Sequence, residues 1–140
     1  MNVFKWLFSW RYRYFRHKLR GVEKMIMDLE FKKFKTLEIR EEIRQTHDSM
    51  KTRLNVLETT IKSEDKKPTL NKDERARLDD QKVVLTRDIE RYVAQMKDLD
   101  LQIAGSKPTN ELPDGHNGID QQLDALQELK LMVRDYLELV

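Results

Sequence analysis

Apolar residues recur along this chain at alternating steps of four and three, the spacing at which one face of an α-helix meets another helix. Val22, Ile26 and Leu29 begin the first ladder, and Ile43, Met50, Leu54, Leu57 and Ile61 continue it in the same phase. Lys33, Thr36, Arg40 and His47 hold the intervening positions, so the stripe is partly polar in its first half, where Phe31, Phe34 and Leu37 form a neighbouring apolar flank. No Gly or Pro occurs from 22 to 67, and the spacing predicts one helix ending near Ser63.

Pro68 stops that run, because it lacks an N–H and pushes the residue before it toward extended geometry. Asn71, followed by Asp73 and Glu74, predicts a capped helix start with acids in its first turn. The second ladder is Leu78, Leu85, Ile89, Tyr92, Met96, Leu99 and Ile103, with Gln81 read as its one polar member and Gly105 as its end. Two long amphipathic helices joined by a short polar turn at 64–71 predict an antiparallel coiled-coil hairpin over 22–104. Neither stripe is tolerated in water along its full length.

Residues 105–118 hold three Gly and two Pro, the composition of a flexible linker. Asn117 is a suitable cap for an acidic amphipathic helix over 119–140, whose stripe is Ile119, Leu123, Leu126, Val133, Leu137 and Val140, widened by Leu129, Met132 and Tyr136. Two destinations fit that stripe: the Phe31/Phe34/Leu37 flank, closing a three-helix bundle, or another chain. The predicted fold class is all-α.

The leading segment, 1–21, admits two geometries. Phe4, Trp6, Phe8, Trp10, Tyr12 and Tyr14 alternate with other residues, as in a strand. Wound at about 100° per residue, Lys5, Ser9, Arg13, Arg16 and Arg20 instead share a polar arc. Phe4, Leu7, Phe8, Tyr14, Phe15, Leu19 and Val22 then lie opposite it, with Trp6 and Trp10 on the shoulder and Arg11 and Lys18 intruding. Hydrogen bonding favours the helix: no other segment reads as a strand, and a lone strand leaves its backbone unpaired.

Charge sharpens this segment's role. The net +2 of the chain hides +6 over residues 1–20, which contain no carboxylate, and −5 over 111–140. Trp and Tyr favour lipid headgroup depth, and Lys and Arg favour an anionic leaflet. The expected contact set is therefore Phe4, Lys5, Trp6, Leu7, Phe8, Trp10, Arg11, Tyr12, Arg13, Tyr14, Phe15, Arg16, Lys18 and Arg20. Its first expected partner is an anionic membrane surface. A homo-oligomer or protein partner, with the aromatics as an inter-subunit core, is the alternative, and a nucleic acid the third reading. The corresponding locations are the cytoplasm, at the inner face of a membrane, or a virion. In outline the layout resembles membrane-remodelling filament proteins, in which a surface helix precedes a helical hairpin; the likeness is one of architecture.

Catalytic chemistry finds no foothold. The chain has no cysteine, which excludes disulfides, thiolate metal sites and Cys nucleophiles. His17, His47 and His116 are isolated, and His47 and Asp48 are adjacent positions that do not face each other on a helix. The glycines of Asp114–Gly118 lack the context of a phosphate loop. No run is long and apolar enough to span a bilayer. A non-enzymatic scaffold without cofactor, metal or small-molecule substrate is expected.

Overall fold

A computed structural model describes residues 3–105 and 117–139, with the side chains of Val3, Phe4, Lys5, Phe8 and Leu139 outside that description. Three helices account for nearly all of it: α1 (Val3–Lys66), α2 (Lys72–Ala104) and α3 (Ile119–Leu139). No strand occurs among the described residues, and 3–15 belong to α1, which settles the leading segment as helix. Most of the expected linker, including His116, lies outside the described residues, as does Val140.

α1 runs three residues past its expected end at Ser63. The Lys67 N–H still donates to the Ser63 carbonyl at 3.0 Å, so the helical ladder persists until the residue that Pro68 itself restricts. Glu64 then ties down the turn. Its carboxylate accepts the Thr69 hydroxyl, the Thr69 N–H at 3.0 Å and the Leu70 N–H at 3.2 Å. Asn71 caps α2, its side-chain oxygen accepting the Glu74 N–H at 2.8 Å.

The chain divides into two compact units, Met1–Thr36 with Asp100–Val140, and Leu37–Leu99. In the second, Leu57 and Ile61 of α1 are buried, and Arg40, Ile43, His47, Met50 and Leu54 are half-buried. From α2 the half-buried apolar positions are Leu78, Leu85, Ile89, Tyr92, Met96 and Leu99. The polar member of this row is Lys82; Gln81, which the sequence suggested, is exposed. Both positions divide the seven-residue gap from Leu78 to Leu85, but only Lys82 keeps the row in phase, and a lysine stem can be covered while its ammonium reaches water. Arg75 bonds Asp65 at 2.7 Å near the turn. His47 Nδ1 lies 3.1 Å from the Asp48 carboxylate, so these neighbours do meet by bending along the helix surface, contrary to the reading from spacing alone.

In the first unit, Val22 and Ile26 of α1, Ile103 of α2 and Ile119 and Leu123 of α3 form one buried cluster, with Leu29 and Leu126 packed on it. Thr36 is also buried, its hydroxyl donating to the Lys32 carbonyl at 2.8 Å. Three pairs fix α3 against α1 in opposite directions: Lys33 to Asp120 at 2.7 Å, Glu23 to Lys130 at 3.9 Å, and the Phe15 and Tyr136 rings at 4.3 Å between centroids. α3 therefore does not use the Phe31/Phe34/Leu37 flank, and all three of those side chains stay exposed. The Val22–Ile26–Leu29 row repeats in the same phase as Ile119–Leu123–Leu126, whereas Phe31 and Phe34 lie off that row.

The start of α3 departs from the expected Asn117 cap. Gly118 holds the cap position: its carbonyl accepts the Gln122 N–H at 3.1 Å, and its N–H donates to the Gln121 side chain at 3.1 Å, half of a capping box. The reason is spatial. Gly118 is pressed on the backbone of Ile103, Ala104 and Gly105, where a Cβ would overlap all three. Gly105 closes α2 with φ of 76°, its N–H donating to the Leu101 carbonyl at 2.8 Å.

These glycines predict opposite outcomes. Gly118→Ala should cost about 2 kcal/mol or more, since backbone must move. Gly21→Ala should stabilise by roughly 1 kcal/mol, because Gly21 is helical with open space around it. Thermal melts followed by far-ultraviolet circular dichroism read both; equal shifts would contradict the Gly118 contact.

Bonds from the Thr69 hydroxyl and N–H, with that of Leu70, hold the Glu64 carboxyl below its ordinary pKa. A carboxyl with a lowered folded-state pKa adds stability above its unfolded value and loses it as pH falls through the lowered one. The Thr69 and Leu70 amide proton resonances should therefore shift together as the solution is taken down through and below the usual glutamate range. In Glu64→Gln they should not follow pH there; a titration that survives the substitution contradicts the clasp.

Candidate contact surface on α1

Covering one side of a helix determines what the other side shows. With Phe15, Leu19, Val22 and Ile26 turned into the first unit, a second row at the same four-three spacing lies on the far side of α1. It comprises Trp6, Trp10, Arg13, His17, Arg20, Lys24, Met27, Phe31 and Phe34, every one exposed. Trp6 and Trp10 keep 56% and 57% of their surface in water. The row has no carboxylate, and residues 3–36 as a whole carry ten Lys/Arg against three acids.

Described aromatic rings of this segment contact one another along the helix. Trp10 and Tyr14, one turn apart, stack with centroids 6.0 Å apart and planes at 19°. The Tyr14 ring meets Phe15 edge-on at 5.3 Å, and the Lys18 ammonium sits 5.8 Å from its centroid. Leu7, Tyr12, Arg11, Arg16, Lys18 and Arg20 are likewise exposed. The surface offers flat rings interleaved with cations, with His17 among them.

The residues expected at this surface divide three ways. Trp6, Leu7, Trp10, Arg11, Tyr12, Arg13, Tyr14, Arg16, Lys18 and Arg20 are exposed on α1. The side chains of Phe4, Lys5 and Phe8 lie outside the described residues. Phe15 is half-buried against Tyr136 on the covered side, because among the described residues the α1 ladder already runs through Phe15 and Leu19, earlier than Val22. The apolar arc read from the sequence is thus split: its Phe15–Leu19–Val22 edge serves the interior, and the face presented outward mixes Trp with Arg. Missed from the sequence were Met27, Phe31 and Phe34 as members of the same row as the tryptophans; their four-three spacing from Trp6 was the available signal.

α3 places Ile119, Leu123 and Val133 in the interior with Leu126 and Leu137 half-buried, and leaves Leu129 and Met132 exposed. Its outward row is Gln121, Asp124, Glu128, Leu131, Asp135 and Glu138, all exposed. The outward row of α1 is thus cationic and aromatic, and that of α3 acidic. Among the described residues no group of three or more His, Asp or Glu is arranged to hold a metal ion, and no helix is long and apolar enough to cross a membrane.

The Phe15–Tyr136 contact gives a quantitative check on which face is covered. In a double-mutant cycle of Phe15→Ala and Tyr136→Ala, the coupling energy should be about 0.5–1.5 kcal/mol, the range for paired rings. Additive losses in urea unfolding would contradict the pairing. Set against protein-family models, curated proteins and solved structures, the chain matches none.

Proposed function

We propose that this chain is a non-enzymatic scaffold that docks on an anionic membrane surface through the leading part of α1 and presents the rest of its helices to protein partners. The observation that carries this reading is the exposure of Trp6, Trp10 and Tyr14 among Arg11, Arg13, Arg16, Lys18 and Arg20 while the other side of the helix is already covered. Solvent-exposed Trp is costly unless an interfacial environment receives it, and headgroups suit both ring and cation. Each cation near an anionic leaflet contributes about 1 kcal/mol, so the segment's Lys and Arg supply several together. The absence of cysteine is compatible with docking at a cytoplasmic face.

In the second unit, Leu37–Leu99 acts as an antiparallel coiled-coil hairpin. Its register sets Ile61 opposite Leu78, Leu54 opposite Leu85, Met50 opposite Ile89, His47 opposite Tyr92 and Ile43 opposite Met96. Alternating covered positions on both helices and the Asp65–Arg75 bond support that register. Val56 and Val84 stay exposed beside a groove also lined by Leu57, Leu78 and Leu85, which supports a second copy or a protein partner for the hairpin. The polar seam members Lys82 and His47 fix register at some expense of stability.

Vesicle flotation tests the docking. The full chain should float with phosphatidylserine-containing vesicles and not with neutral ones, and the affinity should fall steeply with salt. Trp6→Ala with Trp10→Ala should weaken flotation about tenfold without altering the helical spectrum. Equal binding to neutral and anionic vesicles, or none to either, contradicts the proposal.

A further inference from the structure

We infer that the lipid footprint is the entire outward row of α1 from Trp6 to Phe34, so that this length of helix lies in the headgroup plane with α3 on its water side. The inference rests on the membrane docking proposed above and extends it beyond the aromatic, basic leading segment to a second apolar foot. Met27, Phe31 and Phe34 keep 68%, 62% and 62% of their surface in water, more than either tryptophan. They continue the tryptophan row at the same four-three spacing, which drifts by about 20° per heptad on a straight helix, so the two feet fall within an arc of about 80° that one interfacial layer can receive. Between them stand Arg13, His17, Arg20 and Lys24. The footprint is then about 42 Å long at 1.5 Å per residue.

Charge selects the occupant. Asp28 and Glu30 lie beside the second foot, yet Lys32 and Lys35 accompany them, and the Lys35 ammonium rests 5.6 Å from the Phe31 centroid. A second copy laid face to face on this row meets like charge in both orientations. Antiparallel pairing sets Arg20 on Arg20 and His17 beside Lys24, and parallel pairing sets every cation on itself. The acidic outward row of α3 from another copy would match the cations, but it offers only Leu131 to two Trp and two Phe. A leaflet supplies both anionic headgroups and an apolar layer beneath them. The same α3 carboxylates, Asp124, Glu128, Asp135 and Glu138, are repelled by that leaflet, which orients α1 toward it.

The cysteine-free chain permits a direct test. A full-length Phe34→Cys variant carries an environment-sensitive nitrobenzoxadiazole label, read beside the native Trp emission. Vesicles of seven parts phosphatidylcholine to three of phosphatidylserine carry nitroxide lipids as quenchers. Both probes should be quenched, to within about twofold of each other, and unlabelled Phe31→Ser with Phe34→Ser should weaken vesicle binding about tenfold with an unchanged melt. Quenching of Trp with none at position 34 overturns the extended footprint and leaves the proposed docking standing. Quenching of neither probe overturns both. A label response without vesicles that rises with protein concentration, alongside a doubled mass by light scattering, assigns the row to a second copy and overturns the inference.

Discussion

Burial of Val22, Ile26 and Leu29 against Ile119, Leu123 and Leu126 decides what the rest of α1 can do in its first unit. Five buried aliphatic side chains, counting Ile103, contribute on the order of 10 kcal/mol of transfer free energy before conformational entropy is set against it. Nothing else in this unit approaches that magnitude, since its ion pairs are half-exposed at the surface and worth little each. Because α3 satisfies this row within the chain, α1 keeps its opposite row in water. Aromatics that would otherwise close an interior are then left as a surface.

The same burial explains why polar residues interrupt the α1 ladder without breaking it. Lys33 reaches Asp120 of α3, and Thr36 turns its hydroxyl onto the backbone of the preceding turn. Each satisfies its polar atom locally, so its stem can be covered at small cost. Backbone proximity does comparable work at the start of α3. There Gly118 and the backbone from Ile103 to Gly105 approach more closely than any side chain would allow.

Helix positions and covered faces were legible in the sequence because a four-three period is a local property that survives whichever partner fills it. The covered rows from Ile43 to Ile61 and from Leu78 to Leu99 occupy the positions that the period selects. Choice of partner was not legible: Val22–Ile26–Leu29 and Phe31/Phe34/Leu37 are both apolar, and only three-dimensional packing ranks them. Lys82 was missed because a seven-residue gap divides two ways. Gly118 was missed because the signal, contact with Gly105, joins residues far apart in sequence. Phe15 belongs by composition to the aromatic arm, although Phe15, Leu19 and Val22 already follow the ladder spacing.

The surface is therefore a consequence of the interior, and the account depends on α1 having two unlike sides between residues 6 and 34. Single cysteines placed in turn through that span of the full, otherwise cysteine-free chain report this most directly through their rates of thiol alkylation under native conditions. The account predicts slow reaction at 15, 19, 22 and 26 and fast reaction at 6, 10, 13, 20, 27, 31 and 34, a seven-residue modulation that disappears in denaturant. Rates that are uniform along the span, or slow on the tryptophan side, would contradict it.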